Sequence, residues 1–183
     1  VDGDASFNCD VNIGFKRKEV ILAGAGGLNG TGGAQGTATA SSYFNGPEYD
    51  APAAFNNLLT QYDGWKSSMA SNGGGEGNTG TPQWISFEFP YDVIVTKYKI
   101  WPTGYAPINP KAWTLKAYPA GSYNNPVVID SSSNQTNWSN TNADSITNNN
   151  SFNVYPVDNT TTAYRKFELN ITEIESDLDS VTI

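Results

Sequence analysis

Two stretches of the chain bring flat aromatic rings together with amides and carboxylates. One, at 43–50, reads Tyr43-Phe44-Asn45-Gly46-Pro47-Glu48-Tyr49-Asp50. The other, at 101–109, reads Trp101-Pro102-Thr103-Gly104-Tyr105-Ala106-Pro107-Ile108-Asn109. A ring face can stack on the C–H side of a sugar while neighbouring polar groups hydrogen-bond its hydroxyls. On that chemistry Tyr43, Tyr49, Trp101, Tyr105 and Asn109 are the candidate ligand-binding residues. Gly, Pro and Asn in both stretches place them on loops.

Catalytic chemistry has little to work with. The 183 residues contain no histidine, which removes Ser-His-Asp and Cys-His mechanisms and histidine-ligated zinc. Cys9, the single cysteine, can form neither an intrachain disulfide nor a zinc site alone. It falls on the apolar side of an alternating run, where a free thiol acts as a small hydrophobe. The acidic run at 173–177 reads as solvated surface, not as a carboxylate pair facing across a cleft. The chain is expected not to be an enzyme.

The elements that must position the loops follow from patterning. Hydrophobic residues make up 38% and aromatics 13%, with only 15% charged, and turn residues are plentiful, a profile of short strands and many turns. The net charge of −8 disfavours nucleic acid. No apolar run approaches the length of a membrane span. Opening at Val1 without Met and closing in mid-pattern at Ile183, the sequence is expected to be part of a longer chain.

Three zones stand out. At 1–22, Ala5, Phe7, Cys9, Val11 and Ile13 alternate with polar residues, the period of a strand with one buried face. Too short to bury that face alone, this segment must pack on other copies or on the domain. A glycine-rich connector covers 23–37. The body, 38–183, holds alternating runs: Ile85, Phe87 and Phe89; Thr96, Tyr98 and Ile100; Trp113, Leu115 and Ala117; Phe167, Leu169 and Ile171. Prolines and polar turns separate them, which indicates an all-β sandwich or jelly roll. A short helical turn is expected near 53–59. Phe55, Trp65, Trp84, Trp113, Trp138 and Phe167 are expected in the core rather than at a ligand.

The body also resembles the discoidin, or coagulation-factor type C, family, which includes the family 32 carbohydrate-binding modules. Ala40-Ser41-Ser42, Ala54-Phe55-Asn56 and Trp65-Lys66-Ser67 are similar to its opening segments. Pro82-Gln83-Trp84-Ile85-Ser86-Phe87-Glu88-Phe89 is similar to the strand that follows. Then come Val95-Thr96-Lys97-Tyr98-Lys99-Ile100, Asn109-Pro110-Lys111-Ala112-Trp113-Thr114-Leu115, Ile129-Asp130, Trp138, Phe152 and Tyr164-Arg165-Lys166-Phe167-Glu168-Leu169-Asn170-Ile171 in the family's order.

The resemblance implies an eight-stranded, discoidin-like jelly-roll β-sandwich presenting loops at one end to sugars, lipid headgroups or proteins. No cofactor is required. Calcium is the one ion it suggests, and Asn56 and Asp63 are the side chains that would contribute to it. Asn56 stands where the family usually has Asp, and Glu168 where many members carry Arg.

The N-terminal residues Val1-Asp2-Gly3-Asp4-Ala5-Ser6-Phe7-Asn8 resemble one unit of the short repeats of viral and phage fibre proteins. That implies a β stalk segment, partners among virion proteins or further copies of the chain, and an extracellular or virion-surface location. The leading expectation is therefore a glycan-recognition module for host attachment. The alternative is a structural or cementing virion protein that uses the sandwich for protein contacts.

Overall fold

In the computed structural model, residues 12–13, 36–44, 49–55, 64–68, 82–101, 108–136, 138, 153–157, 161–175, 181 and 183 are described. They form two facing sheets. The strands are β1 (Asn12–Ile13), β2 (Thr37–Ala40), β3 (Gln83–Val93), β4 (Lys97–Ile100), β5 (Pro110–Tyr118), β6 (Val127–Ser132), β7 (Asn153–Pro156) and β8 (Tyr164–Ile174). The larger sheet runs β2-β3-β8-β5-β6 and is antiparallel throughout; the smaller runs β1-β4-β7.

Alternation explains the layering. Ile85, Phe87 and Phe89 of β3, Trp113, Leu115 and Ala117 of β5, and Phe167, Leu169 and Ile171 of β8 all point inward and are buried. Tyr98 and Ile100 of β4 meet them from the other sheet. Val95, in the short link before β4 begins, is also buried. Rings pack edge to face along the core, with Phe87 to Phe89 at 5.0 Å and Phe89 to Phe167 at 5.9 Å between centroids. Close approach decides Gly36: a Cβ there would overlap the Phe87 ring and the Glu88 carbonyl.

A buried polar relay crosses between the layers. Trp113 Nε1–H donates to the Tyr98 hydroxyl, which donates in turn to Asp130 Oδ2, each at 2.7 Å. Tyr155 of β7 stacks on Tyr98 at 5.1 Å and meets Trp113 edge-on at 5.0 Å. The indole N–H and the Tyr98 hydroxyl both gain partners, as burial requires.

Two expectations need adjusting. Trp84 is not in the core: Ile85 occupies the inner face, so the pleat turns Trp84 outward, half-buried with Lys166 Nζ 5.5 Å from its ring. The helical turn is a 3-10 turn at Ala51–Phe55, held by Ala53 N–H on the Asp50 carbonyl and carboxylate, and residues 56–59 lie outside the described residues.

Of the N-terminal segment, only Asn12 and Ile13 are described. They pair in parallel with Lys97 and Tyr98, so this part of the segment packs on the domain as an edge strand. Cys9 and the glycine-rich residues before Gly36 lie outside the described residues.

Candidate functional site

Register places the described residues of both aromatic stretches at one end of the sandwich. β2 ends beside the start of β3, where Ala40 faces Ile85 and Ser41 N–H donates to the Trp84 carbonyl at 2.9 Å. Gln83 faces Ile171 near the end of β8, and Ile174 faces Pro110 at the start of β5. β4 begins where β3 ends, so Trp101, which follows β4, emerges at the same end as Ser41. That end is the candidate site.

A strip of backbone at 64–68 organises one side of it. Phe44 N–H donates to the Lys66 carbonyl (2.7 Å) and Lys66 N–H to the Tyr49 carbonyl (3.2 Å). On the opposite edge, Ser67 N–H donates to the Val181 carbonyl and Ile183 N–H to the Trp65 carbonyl, both at 2.9 Å. Ser67 Oγ accepts Val181 N–H at 3.0 Å. Trp65 anchors the strip: its ring is fully buried and its Nε1–H donates to the Ser42 carbonyl at 2.7 Å. Ser41 and Ser42 hydroxyls both donate to Gln83 Oε1, and Ser42 Oγ accepts Ser68 N–H. The loop leaving β2 is thus fixed through side chains as well as backbone.

On this base stand the aromatics. Tyr43 is 62% exposed. Phe44 and Tyr49 meet edge to face at 5.6 Å. Lys66 Nζ lies 4.2 Å from the Phe44 centroid and 6.0 Å from that of Tyr49, a cation–π seat. Burial lowers the Lys66 pKa from its ordinary value. Half-buried Trp101 carries the Lys99 ammonium 5.8 Å from its ring.

Asn109 has a different place. It is fully buried, and its carbonyl accepts Glu175 N–H at 3.1 Å. Burial raises the Glu175 pKa, and the nearby Asn109 side chain opposes that shift. Through its backbone Asn109 ties the start of β5 to the end of β8. Tyr105, Asn56 and Asp63 lie outside the described residues. Among the described residues no cluster of three or more Cys, Asp or Glu side chains is placed to hold a metal ion.

Phe44 and Lys66 belong to the site although neither was a sequence candidate. A signal existed: Trp65 and Ser67 are both buried, so the residue between them must turn outward.

No family model and no curated protein matches the chain. Solved structures do. The module CpGH89CBM32-5 from Clostridium perfringens, in complex with GalNAc-β-1,3-galactose, is 20% identical with a TM-score of 0.59, over 79% of this chain and 89% of that one. The family 32 module of C. perfringens NanJ, in complex with galactose, is 14% identical with a TM-score of 0.56, over 80% and 88%. Chitosan-binding module 2 of a chitosanase/glucanase from Paenibacillus sp. IK-5, in complex with chitotriose, is 14% identical with a TM-score of 0.56, over 87% and 93%. At such identities the likeness is one of fold, and the chain is a discoidin-like β-sandwich of the kind on which family 32 carbohydrate-binding modules are built.

Proposed function

We propose that the chain is a non-catalytic glycan-binding module that receives its ligand at the loop end. The observation that carries this reading is the convergence of exposed Tyr43, the Phe44–Tyr49 pair and Trp101 at one end of the sandwich. Rings for C–H faces and adjoining polar groups for hydroxyls are the donor set a sugar needs. That neighbours of the same fold were solved with galactose, GalNAc-β-1,3-galactose and chitotriose supports it. The fibre-like N-terminal residues support a place on a viral or phage appendage, at the virion surface or outside the cell, with other virion proteins or further copies as partners.

A glycan array followed by titration calorimetry tests the reading. Binding of a surface sugar, weakened by Tyr43→Ala and by Trp101→Ala, is the expected result. No binding across the array overturns it.

One observation favours a structural role instead. Val127 and Val128 are 46% and 55% exposed on β6, the last strand of the larger sheet. An apolar edge of this kind suits contact with another protein. Sedimentation that shows association lost in Val128→Lys, alongside a blank array, would favour that role.

A further inference from the structure

We infer that the loop-end site takes an acidic sugar, whose anionic group is received by the Lys66 ammonium beside the Phe44 and Tyr49 rings. The inference rests on the sugar-binding reading and narrows its ligand class.

The chain is short of cations. Ten Lys and Arg stand against eighteen Asp and Glu. Among the described residues, Lys111, Lys116 and Arg165 are each committed to a carboxylate, of Glu173, Glu168 and Asp92 respectively. Lys66 is placed differently: the structure seats its Nζ on two rings, and no carboxylate of the described residues lies within ion-pair distance. An ammonium has three donors, and a ring face satisfies the charge without accepting a strong hydrogen bond. Among the described residues, then, nothing takes up the Lys66 donors, which leaves them to a ligand lying against Phe44 and Tyr49.

Position argues the same way. Lys66 sits between buried Trp65 and buried Ser67, so its side chain is fixed outward at the base of the exposed Tyr43 loop. The second candidate ring, Trp101, also carries an ammonium, that of Lys99. Both aromatic positions at the loop end thus pair a ring with a positive charge. The net charge of −8 repels anions at long range, but a Debye length of about 8 Å at physiological salt confines that field. Direct contact with the ammonium then decides.

The test uses matched ligands that differ in the anion: trigalacturonic acid against its methyl ester, 3′-sialyllactose against its methyl ester, and galactose-6-sulfate against galactose. Calorimetry on the whole chain should show at least one acidic member binding about tenfold tighter than its neutral partner, the scale of one charge-assisted hydrogen bond. Lys66→Gln should abolish that difference and Lys66→Arg should keep it. Lys66 contributes only backbone groups to the strip, so far-UV circular dichroism should show the same β-sheet signal in both variants. The carboxylated and sulfated pairs identify which anion is received. Equal binding of neutral and acidic members, or a preference that survives Lys66→Gln, overturns the inference and leaves the sugar-binding reading standing. Absence of binding to every member, neutral ones included, overturns both.

Discussion

Trp113 and Tyr98 meet across the interior of the sandwich, the indole Nε1–H of the first donating to the hydroxyl of the second at 2.7 Å. They come from different sheets, so this bond and its continuation to Asp130 hold the layers in one registration. Replacing Tyr98 by Phe keeps the ring stack on Tyr155 but leaves the indole N–H and the Asp130 carboxylate without this partner. The expected cost is about 1–3 kcal/mol, read from urea unfolding. A loss below about 0.5 kcal/mol, the scatter of neutral surface changes, would contradict the assigned role.

The same phenol sets an alkaline limit. Burial raises the Tyr98 pKa well above the ordinary 10.0. The folded protein therefore keeps this proton at pH values where the unfolded chain has lost it. Its contribution to stability is complete below about pH 10 and declines as pH rises beyond that. Unfolding free energy measured from pH 8 to 11.5 should fall more steeply in the native chain than in Tyr98→Phe. Parallel slopes would refute the linkage.

Glu168 and Glu173 offer a contrast between two ion pairs. Glu173 pairs with Lys111 at the surface, its side chain 45% exposed, so Lys111→Ala should cost under about 1 kcal/mol. The Glu168 side chain is 9% exposed, paired with Lys116 and hydrogen-bonded to the Tyr118 hydroxyl. Removing it as Glu168→Ala leaves both groups unpaired near the sheet and should cost about 1–3 kcal/mol. Equal losses in thermal denaturation would mean that burial does not distinguish them.

Gly36→Ala tests the approach of β2 to β3. The added methyl would collide with the Phe87 ring and the Glu88 carbonyl, and the backbone cannot give easily. A loss of about 1–3 kcal/mol is expected from such overpacking, measured by chemical denaturation. A neutral result would show that Thr37–Ala40 pairs more loosely than its register implies.

Tyr43→Ala should separate binding from stability. The ring is 62% exposed, so unfolding should shift by no more than about 0.5 kcal/mol. Affinity for the bound sugar should fall at least about fivefold if the ring is a contact residue. Unchanged affinity would move the ligand away from the β2 loop.

Much of the sandwich was legible because strands with one buried face write their period into the sequence. Ile85, Phe87 and Phe89 could face only one way, and the same parity should have turned Trp84 outward against the pull of its size. Parity says which face a residue takes, not which strand lies beside it. That Asn12 pairs in parallel with Lys97 depends on where the whole chain passes. Asn109 shows the limit for single residues: an amide at a loop's edge suits a sugar hydroxyl, yet this one is fully buried where β5 starts. Lys66 went unsingled because its seat is built by Phe44 and Tyr49, about twenty residues earlier, and no local pattern reports such a meeting.

The strip at 64–68 also dictates when the site can come into being. Its outer rung joins Val181 N–H to Ser67 Oγ across a separation of 114 residues. On a ribosome the β2 loop and the lysine it surrounds are made early, but the segment that clamps them is made after every strand of the larger sheet. Contacts of such separation are late and slow to form. The loop end should therefore be the last part of the sandwich to mature, and a nascent chain halted before residue 181 should hold a nearly complete fold with that end unfinished.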